Sequence, residues 1–180
     1  MEHHSKSGVI AWNIVTLLKW TTSYFKSHGI DSPRSTAEIL LAHILKLKRI
    51  DLYLRYDQPL YSDELTHFKA LIKRRVKREP VAYIVGVKEF WSMDFIVNRN
   101  VLIPRPDTEC LVEAAMSVLH QDSKQNAKDE SRRVLELGTG SGAIILALAS
   151  QHTEHLFFCF RPFTSSGCTG PRECQASRTG

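Results

Sequence analysis

Val134-Leu135-Glu136-Leu137-Gly138-Thr139-Gly140-Ser141-Gly142-Ala143-Ile144 joins a short apolar run to a glycine-rich turn and then to a second apolar run. Val134, Leu135 and Leu137 suit a buried parallel strand, and Ile144, Ile145, Leu146, Leu148 and Ala149 continue as an apolar helix. The turn between them is nearly free of side chains. Glycines at 138, 140 and 142 reach backbone angles closed to other residues and let a ligand approach the main chain closely. The helix behind the turn directs its unpaired N–H groups at the same space. This stretch therefore predicts the first strand, loop and helix of an α/β domain.

Two ligand classes use such a turn. A dinucleotide fingerprint reads G-x-G-x-x-G, with a pyrophosphate resting on the helix N-terminus. Here the spacing is G-x-G-x-G, and Glu136 stands two residues ahead of the first glycine, where it disfavours phosphate and favours a cation. S-adenosylmethionine carries a sulfonium, an ammonium and one carboxylate but no phosphate, so it fits this loop better. The competing reading is a glycine turn with no ligand, because short glycine motifs also recur by chance.

Composition bounds the rest. The 180 residues are 43% hydrophobic, enough to bury the core of one or two small domains. The longest uninterrupted apolar run, Ala143 to Ala149, is far short of the roughly 18 residues needed to span a bilayer. Met1-Glu2-His3-His4-Ser5-Lys6 has the design of neither a signal nor a transit peptide, so a cytoplasmic protein with no membrane association is expected. The net charge of +5 is largely local, since Lys73, Arg74, Arg75, Lys77 and Arg78 crowd into one run. That run reads as the solvated C-terminal end of an amphipathic helix, in preference to a nucleic-acid patch, because no interleaved aromatics accompany it. Cys110 stands alone, and Cys159, Cys168 and Cys174 match neither a zinc pattern nor a paired disulfide framework. His152, His155 and Cys159 on one helix face are set aside as ligands because no second ligand pair follows at a usual spacing; no metal is expected.

Ahead of the loop, apolar positions from Ile10 to His28 recur at helical spacing, and Gly29 is a natural stop. Asp31-Ser32-Pro33 opens a second helix, with a Ser35/Glu38 capping box as the alternative start. Its body, Ala37 to Leu45, is the expected centre of a small bundle, with His43 at the core edge. Ile50 to Leu54 reads as a short helical turn. A third long helix starts at Ser62 and buries Leu65, Phe68, Leu71 or Ile72, and Val76. Glu89 to Val97, the turn Asn98-Arg99-Asn100 and Val101-Leu102-Ile103 suggest two short strands forming a hairpin. Pro104 and Pro106 hold an extended segment, Asp107-Thr108-Glu109 caps a helix through Leu119, and Gln121 to Ser131 is a linker candidate.

Four motifs thus stand in one order: Glu79-Pro80-Val81-Ala82-Tyr83-Ile84-x-Gly86, Glu89-Phe90-Trp91, Val101-Leu102-Ile103-Pro104-Arg105-Pro106-Asp107-Thr108-Glu109, and the glycine loop. Together they closely resemble the HemK family, the peptide chain release factor glutamine N5-methyltransferases, over roughly residues 10 to 150. The proline-rich segment is far more specific than the loop. Ser92 departs from the pattern, since the family usually has glycine at that hairpin turn, and the change is expected to be tolerated.

The resemblance implies an α/β fold class: an N-terminal helical bundle that helps recognise the release factor, a β-hairpin linker, and the start of a Rossmann-like S-adenosylmethionine-dependent methyltransferase domain. Boundaries are expected at 1–80 for the helical domain, 81–130 for hairpin and linker helix, 131–150 for strand, loop and helix, and 151–180 for an atypical tail. It also implies cofactor contacts at Gly138, Thr139, Gly140, Ser141 and Gly142, with Glu136 supporting the loop and Thr108 near the cofactor. The family reaction methylates the glutamine amide of a Gly-Gly-Gln motif, held by an Asn-Pro-Pro-Tyr tetrapeptide that aims its nitrogen at the methyl carbon.

No Asn-Pro-Pro-Tyr occurs in this chain, so no catalytic residue is assigned. An acid to end the second strand and bind the ribose hydroxyls is missing as well. The loss of pattern after Ser150-Gln151 predicts a truncated or frame-shifted family member, inactive as written and short of most of its sheet. Two alternatives follow: a non-catalytic helical module that binds release factor or ribosome, and a glutamine methyltransferase acting on a ribosomal protein. No specific nucleic-acid partner is expected.

Overall fold

The computed structural model describes residues 12–125, 131–160 and 172–173. The chain forms two compact units, Met1–Val85 and Gly86–Gly180. The first unit is helical: α1 (Ile14–Ser27), α2 (Pro33–Leu45), α3 (Asp51–Leu54), α4 (Ser62–Val76) and α5 (Val81–Val85).

The apolar spacing read from α1 buries Ile14, Leu17, Thr21 and Phe25 on one face. Its first turn is satisfied from two directions. The Asn13 side chain accepts from the Thr16 N–H at 2.9 Å, while the Ile14 and Val15 N–H groups donate to the carbonyls of Gln58 and Tyr56. Gly29 adopts φ +61° past the C-cap His28, which lets the Ile30 N–H reach back to the Phe25 carbonyl at 3.0 Å. Phe25, Leu40, Leu41, Leu52, Phe68 and Ile72 form the centre of the core.

Two details of α2 differ from expectation. The helix starts at Pro33 as the sequence suggests, but Ser32, at φ 47°, makes no side-chain cap and the alternative Ser35/Glu38 box does not form. Glu38 is instead buried within the unit, where it accepts from Arg34, Arg49 and the Tyr53 hydroxyl. His43 faces solvent instead of the core edge, because the buried arc of α2 runs through Ala37, Leu40 and Leu41.

The basic run at the end of α4 is drawn into the fold. Arg74 grips both carboxylate oxygens of Glu79 at 2.8 and 2.9 Å and also donates to the Tyr83 carbonyl. Arg75 donates to the Glu79 carbonyl, and Arg78 donates to the carbonyls of Gly29 at 2.6 Å and His28 at 3.1 Å. Three of the five cations in the run are therefore clasps inside the helical unit.

The second unit contains β1 (Val87–Phe90), β2 (Met93–Ile96), α6 (Thr108–Gln125), β3 (Arg133–Leu137), α7 (Ala143–Gln151), β4 (Leu156–Phe160) and β5 (Arg172–Glu173). β1 and β2 pair antiparallel from Val87↔Ile96 to Phe90↔Met93. Both turn residues, Trp91 at φ 53° and Ser92 at φ 56°, are left-handed, the geometry that a two-residue hairpin demands. The hairpin thus closes within 87–96, and Val101-Leu102-Ile103 forms no strand. α6 runs through residues 121–125, the first part of the expected linker Gln121–Ser131.

The sheet is larger than the sequence pattern predicts. Leu156–Phe160, placed in the atypical tail, pairs parallel with β3 over all five positions, from Arg133↔Leu156 to Leu137↔Phe160. β5 adds an antiparallel pair, giving the order β3-β4-β5. β3 itself is not buried on both faces, since Leu135 and Leu137 are 62% and 73% exposed. Phe90, Phe95, Val112, Ile145, Leu148 and Phe157 form the core of this unit. Among the described residues no helix is long and apolar enough to cross a membrane.

Candidate functional site

The glycine loop lies where the sequence places it, between the C-terminal end of β3 and the first turn of α7. Gly138, Gly140 and Gly142 take φ values of 76°, 55° and 82°, all in the left-handed region that favours glycine. A Cβ at Gly138 would meet nothing within 4 Å, so the outer surface of the loop is bare backbone. A Cβ at Gly142 would stand 3.4 Å from Leu146 Cδ1, which closes the inner side against α7.

Two groups hold this turn. The Phe160 carbonyl at the end of β4 accepts from the N–H groups of Gly138 at 2.8 Å and Thr139 at 3.3 Å. From the other side, Glu136 Oε2 accepts from Thr139 Oγ1 at 2.7 Å and from the Ile145 N–H at 3.2 Å. Glu136 thus ties strand, loop and helix together, and places a carboxylate beside the positive end of α7. The Gly142 N–H donates to the Thr139 carbonyl at 2.7 Å. The Gly140 and Ser141 N–H groups have no protein acceptor among the described residues.

Among the expected site residues, the structure brings Glu136, Thr139 and the three glycines together, with Ser141 in the same turn. Thr108 is the first residue of α6, its N–H donating to the Arg105 carbonyl at 3.0 Å. It makes no hydrogen bond to the loop among the described residues. Pattern reading missed Glu109, which it took only as a cap. Its Oε1 accepts from the Trp91 N–H at 3.1 Å and so pins the hairpin turn to the start of α6. Glu89, Trp91, Ser92 and Glu109 line an open cavity there.

Two further features fall outside the loop. In the helical unit, Leu18, Lys19, Thr22, Arg34, Tyr53 and Tyr56 line an apolar cleft of about 500 Å³. In the second unit, His152 and His155 do not share a helix face with Cys159. His152 is the C-cap of α7, His155 precedes β4, and Cys159 lies within the strand. The chain turns between them and brings His152, Glu154 and His155 together instead.

The sequence model of the PrmC N-terminal domain matches residues 16–86. A "Release factor glutamine methyltransferase" of Chlorobaculum tepidum is 44% identical over 138 residues, 77% of this chain and 46% of that protein. A protein of the same name from Coxiella burnetii is 48% identical over 118 residues, 66% of this chain and 40% of its own length. A "Bifunctional methyltransferase" of Rickettsia conorii is 37% identical over 153 residues, covering 76% of this chain and 29% of that protein. Over this shared length the chain belongs to the HemK family. It spans about half the length of the curated release factor methyltransferases it matches. The helical unit with its hairpin and the start of an α/β domain are the HemK-family features present.

Proposed function

We propose that this chain carries the substrate-recognition unit and the cofactor loop of an S-adenosylmethionine-dependent methyltransferase directed at the Gly-Gly-Gln glutamine of peptide chain release factors. The loop is the observation that carries the reading. Its backbone is bare at Gly138, its Gly140 and Ser141 N–H groups lack protein acceptors among the described residues, and Glu136 fixes its shape from behind. Those features suit a ligand with one carboxylate and a cationic body, approached by backbone donors on one side and set near an acid. When bound, the cofactor supplies an electrophilic methyl group on its sulfonium.

In this reading Gly138, Thr139, Gly140, Ser141 and Gly142 form the cofactor bed, Glu136 positions it, and Thr108 borders it from α6. The role of the helical unit is to hold the release factor, in keeping with the names of the relatives. Turnover is not expected of this chain by itself. It has no Asn-Pro-Pro-Tyr to hold the amide, and β4 leads into Phe160-Arg161-Pro162 without an acid for the ribose hydroxyls.

A second reading follows from the completeness of the helical core: a module that binds a release factor or the ribosome without modifying it. One set of measurements separates the two. Immobilised chain is expected to retain a release factor and, by equilibrium dialysis, to bind labelled S-adenosylmethionine, with no methyl transfer. Retention without cofactor binding selects the module, retention of a ribosomal protein in place of release factor redirects the substrate, and loss of all binding sinks both readings. The pair Lys19→Glu and Tyr56→Ala, in the cleft, should weaken retention about tenfold, as expected when one or two contact residues are removed.

A further inference from the structure

We propose that His152, Glu154 and His155 form a binding site for a divalent transition metal of the zinc class, built into the turn that joins α7 to β4. The three side chains each offer a ligand atom, and those atoms lie within 4.8 Å of one another. Both imidazoles are buried, their side chains 5% and 4% exposed, whereas Glu154 is half exposed. Glu154 Oε1 reaches His152 Nδ1 at 3.0 Å and stands 3.7 Å from His155 Nε2, too far for a hydrogen bond.

One carboxylate oxygen therefore satisfies one ring. His152 Nε2 and both nitrogens of His155 remain buried without a hydrogen-bond partner among the described residues. Burying such groups unpaired is unfavourable, and a native fold rarely gathers three of them in one place. A cation accounts for part of this arrangement, giving a partner to one nitrogen of each ring. It takes a lone pair from one nitrogen of each ring and one carboxylate oxygen, and each imidazole carries its proton on the other nitrogen.

Two imidazoles and a carboxylate form a known donor set for zinc, with a fourth position left to solvent. Tetrahedral bonds near 2.1 Å place ligand atoms about 3.4 Å apart, so the set must draw in slightly. Glu154 can move because it is half exposed, while the two rings lie parallel, 2° apart in plane with centroids separated by 5.5 Å. The backbone around them is already fixed. The His152 N–H donates to Leu148, the His155 N–H to His152, and the Leu156 N–H to Arg132 at 2.7 Å as β4 begins. His120 packs edge-on against His152 at 4.6 Å, which holds that ring from the α6 side.

The test uses the full chain stripped with chelator and titrated with Co²⁺, followed by its visible absorption, and with Zn²⁺, followed by calorimetry. His3 and His4 are replaced by alanine in the starting protein so that the N-terminus adds no site. The expected result is one equivalent of Co²⁺ with absorption bands of low-symmetry coordination, displaced by Zn²⁺. His155→Ala should weaken binding at least about tenfold, since even losses outside the ligand set cost that much. Glu154→Gln removes the charge at a half-exposed position with little risk to the fold, and should also weaken it. No saturable Co²⁺ signal, or affinity unchanged in Glu154→Gln and in the His152→Ala/His155→Ala pair, would overturn the proposal.

Discussion

The helical unit buries Ile14, Phe25 and Leu40 completely, whereas the sheet of the second unit leaves Leu135 62%, Leu137 73% and Phe160 49% exposed. The same kinds of side chain end in opposite environments because of how each element finds cover. An amphipathic helix has one apolar stripe, and α1, α2 and α4 meet theirs on neighbours close in sequence. A parallel strand has two faces to cover. Here Val134 and Phe157 pack into a core with Ile145 and Leu148 of α7 and Val112 of α6, so one face is closed and the other is open. A helical unit can thus be thermodynamically complete where the start of an α/β sheet is not.

Core substitutions test that contrast most strongly. Phe25→Ala should cost about 3–5 kcal/mol, because it empties a fully buried aromatic site within a closed core. Urea unfolding followed by helical circular dichroism measures it. A loss under about 1 kcal/mol would mean that the helical unit is loosely packed and the contrast with the sheet is false.

Glu38 gives the next largest effect. Burial pushes its carboxyl pKa up, but hydrogen bonds from Tyr53, Arg49 and Arg34 and the charge of Arg49 outweigh that and hold it below its ordinary value. Glu38→Ala should cost about 1–3 kcal/mol, mostly by unmaking charged hydrogen bonds whose basic partners remain solvated. A depressed folded pKa fixes the sign of the pH dependence. The stabilisation is present above the unfolded value near 4.5 and fades as pH falls through the lower folded value. Wild type and Glu38→Gln should therefore differ in stability at neutral pH and converge under acid. A difference independent of pH would remove the carboxylate from the account.

The legible parts of the sequence were those with local signals. Helical spacing located α1, α2 and α4, and three glycines located the loop, because both are set by residues within a few positions. Local spacing offers Glu38 only as an alternative cap, because its partners Arg49 and Tyr53 lie 11 and 15 residues away. β4 escaped notice because five residues of unbroken run carry no period, and only pairing with β3 across the whole of α7 makes them a strand. The histidines were sought on a helix face that ends at Gln151, one residue before the chain bends and brings Glu154 between them.

Ser92→Gly sharpens the comparison at the hairpin. Ser92 holds φ 56° in a turn whose other residue, Trp91, is also left-handed. Glycine removes the clash between Cβ and backbone in that region, offset in part by its greater freedom when unfolded, so a gain of about 0.5–1 kcal/mol is expected. Thermal unfolding of the two proteins side by side would detect it, and a loss of stability would mean that the Ser92 side chain has a role its turn geometry does not reveal.

The smallest expected effect is the most discriminating for the sheet. Leu135 lies in the middle of β3 opposite Phe158, yet its side chain is mostly in solvent. Leu135→Thr keeps a residue that favours strands and removes an apolar surface that no neighbour covers, so stability should change by less than about 0.5 kcal/mol. The same substitution at a fully covered leucine, Leu40→Thr in α2, should cost several times more, since it both empties core volume and buries a hydroxyl. Equal costs at the two sites would mean that the face of β3 is covered in solution, and the open sheet would then be closed by something that packs on Leu135 and Leu137. A near-neutral Leu135→Thr beside a costly Leu40→Thr keeps the division between the two units, and leaves the glycine loop held by Glu136, Phe160 and α7 beside a strand with one open face.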